Sequence, residues 1–229
     1  MTHGLSPSRA LGELPRTDVS QLTEAIEGRR GPLVVTGLAD AWPARERWTH
    51  AFLLNHFGLS GVGYGKRLDA ELARDVSFPA VARLAEQANV WMLPDGYVSE
   101  LHYDLPHNLN TVLRGSKEVL LFPPTETKHL YAGSPFGAVG PQNSRARLDA
   151  SSDFPDLRKA SYWRAVIGEG ETLYIPPFHW HHVRSRGESV AANIWFHLEG
   201  RLRRVVRWPS PVIVAAALSF ARRALGTRR

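Results

Sequence analysis

The spacing of hydrophobic positions changes near residue 89, and that change divides the chain. Before it, helical periods recur. Val19, Leu22 and Ile26 share one face of a helix predicted over 17–28, with Gly28 as its stop. A second helix is predicted over 51–57, ended by Gly58, and a third over 79–88. Between the first two, PLVVTG (32–37) is apolar and β-branched and reads as a strand. From residue 89 onward the runs are short: NVWMLP, YVSELHYD, LNTVLRG, KEVLLFPP, ETLYIPP and SVAANIWFH, parted by Gly and Pro. Close-spaced short strands joined by turns predict a sandwich or barrel. Residues 125–165 are polar and Pro-rich with little periodicity, which predicts a long insertion between strands, of the kind that often serves as a lid.

Composition narrows the chemistry. The chain has 229 residues, 43% of them hydrophobic, which suits one domain with a real core. There is no cysteine, so disulfides, thiolate metal sites and cysteine nucleophiles are excluded. The first residues lack a basic-then-apolar pattern, and no apolar run reaches the length of a membrane span; a cytoplasmic protein is the expectation.

The formal charge of +6 is a local property. Residues 201–229 hold eight Arg and no acid, so the other 200 carry 20 basic and 22 acidic groups. We therefore divide the chain into a domain over 1–200 and an Arg-rich tail over 201–229. Within the tail, 212–225 favours helix. Three readings stay open for it: a solvated helix, a homodimer helix, or a contact with nucleic acid or an anionic membrane surface.

Three pieces carry the chemistry. Alternate residues of a strand point to one side, so His102 and Asp104 of HYD project an imidazole and a carboxylate onto one face. His181, 77 positions after Asp104, could complete a 2-His-1-carboxylate triad that leaves one face of an Fe(II) ion open. His179 and His182 flank it, and His179, two residues away, is the alternative ligand. Lys117 stands out because the chain uses only four Lys against 24 Arg. A compact ammonium on a flexible stem suits a carboxylate inside a narrow barrel. GVGYGKR (61–67) is not a phosphate loop: Ser60 occupies the first Gly position and Arg67 follows the lysine.

These residues together resemble the cupin-like group of the Jumonji-C hydroxylases. The resemblance covers most of the chain, starts at GPLVVTGLADAWPA (31–44) and is strongest over 90–196. It implies a double-stranded β-helix (jelly-roll or cupin) core with flanking N-terminal helices and a C-terminal helix. It implies Fe(II) held by His102, Asp104 and His181, with the pattern P-P-x-x-W-H-x-V favouring His181. It implies 2-oxoglutarate as co-substrate, its far carboxylate on Lys117 of the Gly115-Ser116-Lys117 run. Ser99, Asn108 and Asn193 match further co-substrate positions, the last aligned by Trp195. The family's additional tyrosine has no clear match; Tyr64 and Tyr97 are the candidates.

The activity so implied is hydroxylation of a C–H bond, in a protein or peptide side chain. Two alternatives stand beside it. One is a metal-binding cupin without oxygenase turnover, which would have no need of Lys117. The other is an RNA-directed hydroxylase using the Arg-rich tail.

Overall fold

A computed structural model describes residues 5–28, 31–82, 84–134 and 136–198. The readings of the 201–229 tail, its helix and its dimer role included, lie outside the described residues.

The chain begins with two short strands, β1 (Ala10–Glu13) and β2 (Arg16–Asp18), and helix α1 (Leu22–Gly28). Strand β3 (Leu33–Thr36) follows, then α2 (Ala44–Arg47), α3 (His50–Phe57) and β4 (Tyr64–Arg67). Six further strands complete the fold: β5 (Leu84–Leu93), β6 (Val98–Tyr103), β7 (His107–Phe122), β8 (Tyr162–Ile167), β9 (Thr172–Ile175) and β10 (Trp180–His197).

Two long antiparallel strands, β7 and β10, organise everything else. The first half of β7 and the second half of β10 lie in the order β2-β3-β9-β7-β10-β5-β4. The second half of β7 pairs with β8, and the first half of β10 pairs with β6. Each long strand thus serves two sheet segments. The bend falls at Gly115 and Gly187, both with positive φ (68° and 71°), where the β7–β10 register slips. This is the jelly-roll arrangement expected of a cupin core.

Alternation sorts the side chains into layers. Ala192, Ile194 and Phe196 of β10 face a core built with Leu22, Ile26, Trp42, Trp48 and Leu53 of the N-terminal elements. Leu101, Tyr103, Leu120, Phe122 and Trp180 face a second core that Leu130, Leu148 and Leu157 of the insertion cover. Between the sheet segments, Val112, Val119, Leu121, Ile167, Leu173 and Ile175 form a third cluster. Asn193 and Trp195 point the other way from Ile194, toward the interior between the segments.

The helix predicted over 51–57 is α3. Thr49 accepts the Phe52 amide through Oγ1 at 3.1 Å, and Gly58 ends the helix in the left-handed region (φ 62°). The helix predicted over 17–28 starts later. Residues 16–18 pair with β3 as β2, a single 3-10 turn follows, and Asp18 caps that turn through the Ser20 amide. The helix predicted over 79–88 is corrected: after one 3-10 turn (Ala80–Ala82), residues 84–93 form β5. Its Leu-Ala-Glu-Gln-Ala start favours helix locally, but pairing of Ala85, Gln87 and Ala88 with Phe196, Trp195 and Ile194 overrides that preference.

The strands predicted at LNTVLRG and KEVLLFPP are one strand, β7, bent at the glycine between them. β10 extends back through WHHV to Trp180. The insertion is shorter than predicted, since β8 begins at Tyr162. It is pinned beside β6, with Tyr103 donating its amide to Gln142 and Ser144 donating to Leu101 (2.9 and 2.8 Å). The last four residues of GVGYGKR form β4 at the sheet margin, paired with β5 at the end of the main strand order.

Candidate metal centre

His102 on β6 and His181 on β10 are direct partners across the antiparallel ladder. Their rings lie 4.2 Å apart, centroid to centroid. Asp104, two residues beyond His102, turns to the same side, with Oδ2 3.8 Å from His181 Nε2. One ligand atom from each of His102, Asp104 and His181 lies within 4.8 Å of the other two, the one such His/Asp/Glu group among the described residues.

The backbone prepares both imidazoles. His102 Nδ1–H donates to the Glu100 carbonyl at 2.7 Å, and His181 Nδ1–H donates to the His179 carbonyl at 3.0 Å. A carbonyl only accepts, so each ring carries its proton on Nδ1 and presents an Nε2 lone pair. Burial, reinforced by the His102 imidazole, pushes the His181 pKa down to about 4, so this ring is neutral and able to ligate at ordinary pH.

His179, the alternative ligand, is not in the cluster. Its ring turns toward Trp163, centroids 6.5 Å apart, and its contribution is the carbonyl that orients His181. The His182 ring lies nearer Glu100, 4.0 Å from it, on the other face of β10 from His181.

Asp104 is held from two directions. Asn108 Nδ2 and Trp195 Nε1 both donate to Oδ2 at 3.1 Å. Asn193 Nδ2 donates in turn to Asn108 Oδ1 at 3.1 Å. Asn193 Oδ1 accepts from Trp91 Nε1 (2.8 Å) and Asn89 Nδ2 (3.1 Å).

The three potential ligands open onto a cavity of about 240 Å³ between the sheet segments. Lys117, Ser99, Asn108 and Asn193 all line it, so the residues matched to metal and co-substrate positions in the sequence converge here. Tyr97 lines it too; Tyr64, exposed on β4, does not. Ser99 and His102 are three apart and should face opposite ways on a regular strand. A bulge reconciles them: two steps on β10 (His181 to Val183) match three on β6 (His102 to Ser99).

Lys117 is 5% exposed, and burial pushes its pKa down to about 8. Its Nζ donates to Asn110 Oδ1 at 3.1 Å, and no carboxylate among the described residues comes within ion-pair distance. A buried ammonium with one neutral acceptor has donors to spare for an anion.

Asn110, Asn89 and Trp91 were not singled out in the sequence. The signal was present: NVW and NLN set polar or indole groups at alternate positions of otherwise apolar strands, so both members of each pair share a face.

Residues 63–201 match the family model described as "Cupin-like domain". Among curated relatives, "Jumonji C domain-containing protein 5" of Drosophila melanogaster is 27% identical over 78% of this chain and 50% of its own length. "Lysine-specific demethylase 8" of Danio rerio is 24% identical over 84% of this chain and 59% of its own. "tRNA wybutosine-synthesizing protein 4" of Gibberella zeae is 35% identical over 57% of this chain and 12% of its own. The chain therefore spans about half the length of the first two relatives and a small part of the third. With its jelly-roll strand order, its His-Asp-His cluster and a family match over most of its length, the chain belongs to the cupin-like domain family, among relatives named as Jumonji-C proteins.

Proposed function

We propose that the cavity takes up Fe(II) and 2-oxoglutarate and that the protein is an oxygenase that hydroxylates a C–H bond of a protein or peptide side chain. The observation that carries this reading is Lys117: a buried ammonium with no carboxylate partner among the described residues, in the same 240 Å³ cavity as the His-Asp-His cluster. A metal-binding cupin without an acidic co-substrate has no use for that charge.

The donor set fits iron. Two imidazoles and one carboxylate, all presented from one side, form the set that non-haem Fe(II) oxygenases use, and they leave coordination positions open. Bound Fe(II) with 2-oxoglutarate and oxygen supplies the oxidising power; the protein supplies binding and orientation.

Each side chain has a part. His102, Asp104 and His181 hold the metal. Lys117 receives the far carboxylate through a charge-assisted hydrogen bond, and Asn110 keeps the ammonium aimed while the site is open. Ser99, Asn108 and Asn193 add polar groups to the same cavity, and Val112, Val119, Leu173 and Ile175 close its apolar wall against water. Lysine demethylase names among the relatives support a protein substrate.

The test is turnover. Purified protein with Fe(II), oxygen and 2-oxoglutarate should form succinate, with the rate rising when the right peptide from a library is added. Asp104→Ala should form none. No succinate from wild-type protein with any peptide or tRNA would overturn the oxygenase reading.

A further inference from the structure

We propose that Trp91, seated against Gly65 on the margin strand, sets the orientation of the Asp104 carboxylate through a one-way chain of side-chain amides. The inference rests on the reading of Asp104 as a metal ligand.

The direction of the chain is fixed from both ends. At one end a carboxylate can only accept, so Asn108 must turn its NH2 group to Asp104 and its oxygen away. That oxygen accepts from Asn193, whose own oxygen then faces β5. At the other end an indole N–H can only donate, and Trp91 donates to that oxygen at 2.8 Å. Asn89 donates to the same oxygen, and Gln87 donates to Asn89. Flipping any single amide would set two donors or two acceptors face to face. Asn89, Asn108 and Asn193 are buried, at 3%, 6% and 1% exposed, so water offers no easy substitute.

Trp91 is the one rigid donor at the far end, and its seat is specific. Gly65 is its direct partner on β4, and any Cβ at Gly65 would overlap the indole ring. The glycine therefore lets the ring lie flat against the strand, where Nε1 reaches Asn193. This gives a role to the GVGYGKR run, which carries no phosphate-loop chemistry. Among the described residues the Trp91 indole donates to Asn193 and not to a proposed metal ligand, so Trp91 and Gly65 act as positioning residues through Asn193 and Asn108.

The experiment is Co(II) titration of the metal-stripped full chain, followed by visible absorption, with urea unfolding as a fold control. Trp91→Phe keeps a ring but loses the donor; Gly65→Ala displaces the ring. Each should weaken Co(II) affinity about tenfold, the low end for groups that orient a ligand. Made in an Asn108→Ala background, where the chain is already cut, neither should weaken it more than about twofold. Equal losses in both backgrounds, or no loss in the wild-type background, would overturn the relay while leaving the metal centre intact. Wild-type protein that binds no Co(II) would overturn the metal centre and the relay together.

Discussion

Lys117 Nζ donates to Asn110 Oδ1 at 3.1 Å, and that neutral amide is its only hydrogen-bond partner among the described residues. The ammonium is buried and its pKa is pushed down to about 8 from 10.5. A bound carboxylate stabilises the charged form and raises that pKa again. Above pH 8 the free protein must therefore gain a proton to bind 2-oxoglutarate. Affinity should be level below pH 8 and fall up to about tenfold per pH unit above it, as calorimetry in buffers of different ionisation enthalpy would show.

The same burial costs stability when no anion is bound. The folded-state pKa lies below the unfolded one, so the penalty is full below pH 8 and fades as pH rises through 8 to 10.5. Lys117→Met should stabilise the protein without co-substrate at pH 7, by up to about 3 kcal/mol, with the gain gone near pH 10.5. Urea midpoints at the two pH values check this. A destabilised Lys117→Met would mean that the ammonium has an anionic partner in the resting protein.

His179→Phe should leave metal affinity within about threefold of wild type, because only the backbone carbonyl of residue 179 serves His181. His181→Ala should lose the metal altogether. A Co(II) titration of both variants decides between them, and the reverse result would make His179 the ligand.

Gly115→Ala should cost about 2 kcal/mol or more. Gly115 has φ 68°, and a Cβ there would come within 2.6 Å of the Glu188 carbonyl oxygen. The strain falls two residues before Lys117, so co-substrate affinity should drop along with the urea midpoint. A drop in stability alone would show that the bend does not aim the lysine.

Much of the site was legible because its chemistry is local. HYD sets two candidate ligands on one face by strand alternation alone, and a lysine in an arginine-rich chain stands out. Ser99 was reached only by resemblance, because strand alternation opposes it until the β6 bulge is seen. The 79–88 segment was misread because its helix preference is local while its partners, Phe196, Trp195 and Ile194, lie about a hundred residues away. Asn89 and Trp91 escaped for the same reason: each makes its key hydrogen bond across the ladder, to Asn193. Asn110 escaped because it meets Lys117, seven residues along the same strand, only through the bend of β7 at Gly115.

The central claim is that one cavity binds Fe(II) and 2-oxoglutarate together. The most direct measurement is the visible spectrum of metal-stripped protein mixed anaerobically with both, run beside His102→Ala and Lys117→Ala. We predict a weak metal-to-ligand charge-transfer band in wild type, absent in His102→Ala and lost or shifted to much higher 2-oxoglutarate in Lys117→Ala. No band from wild type despite tight metal binding, or an unchanged band in Lys117→Ala, would contradict the account.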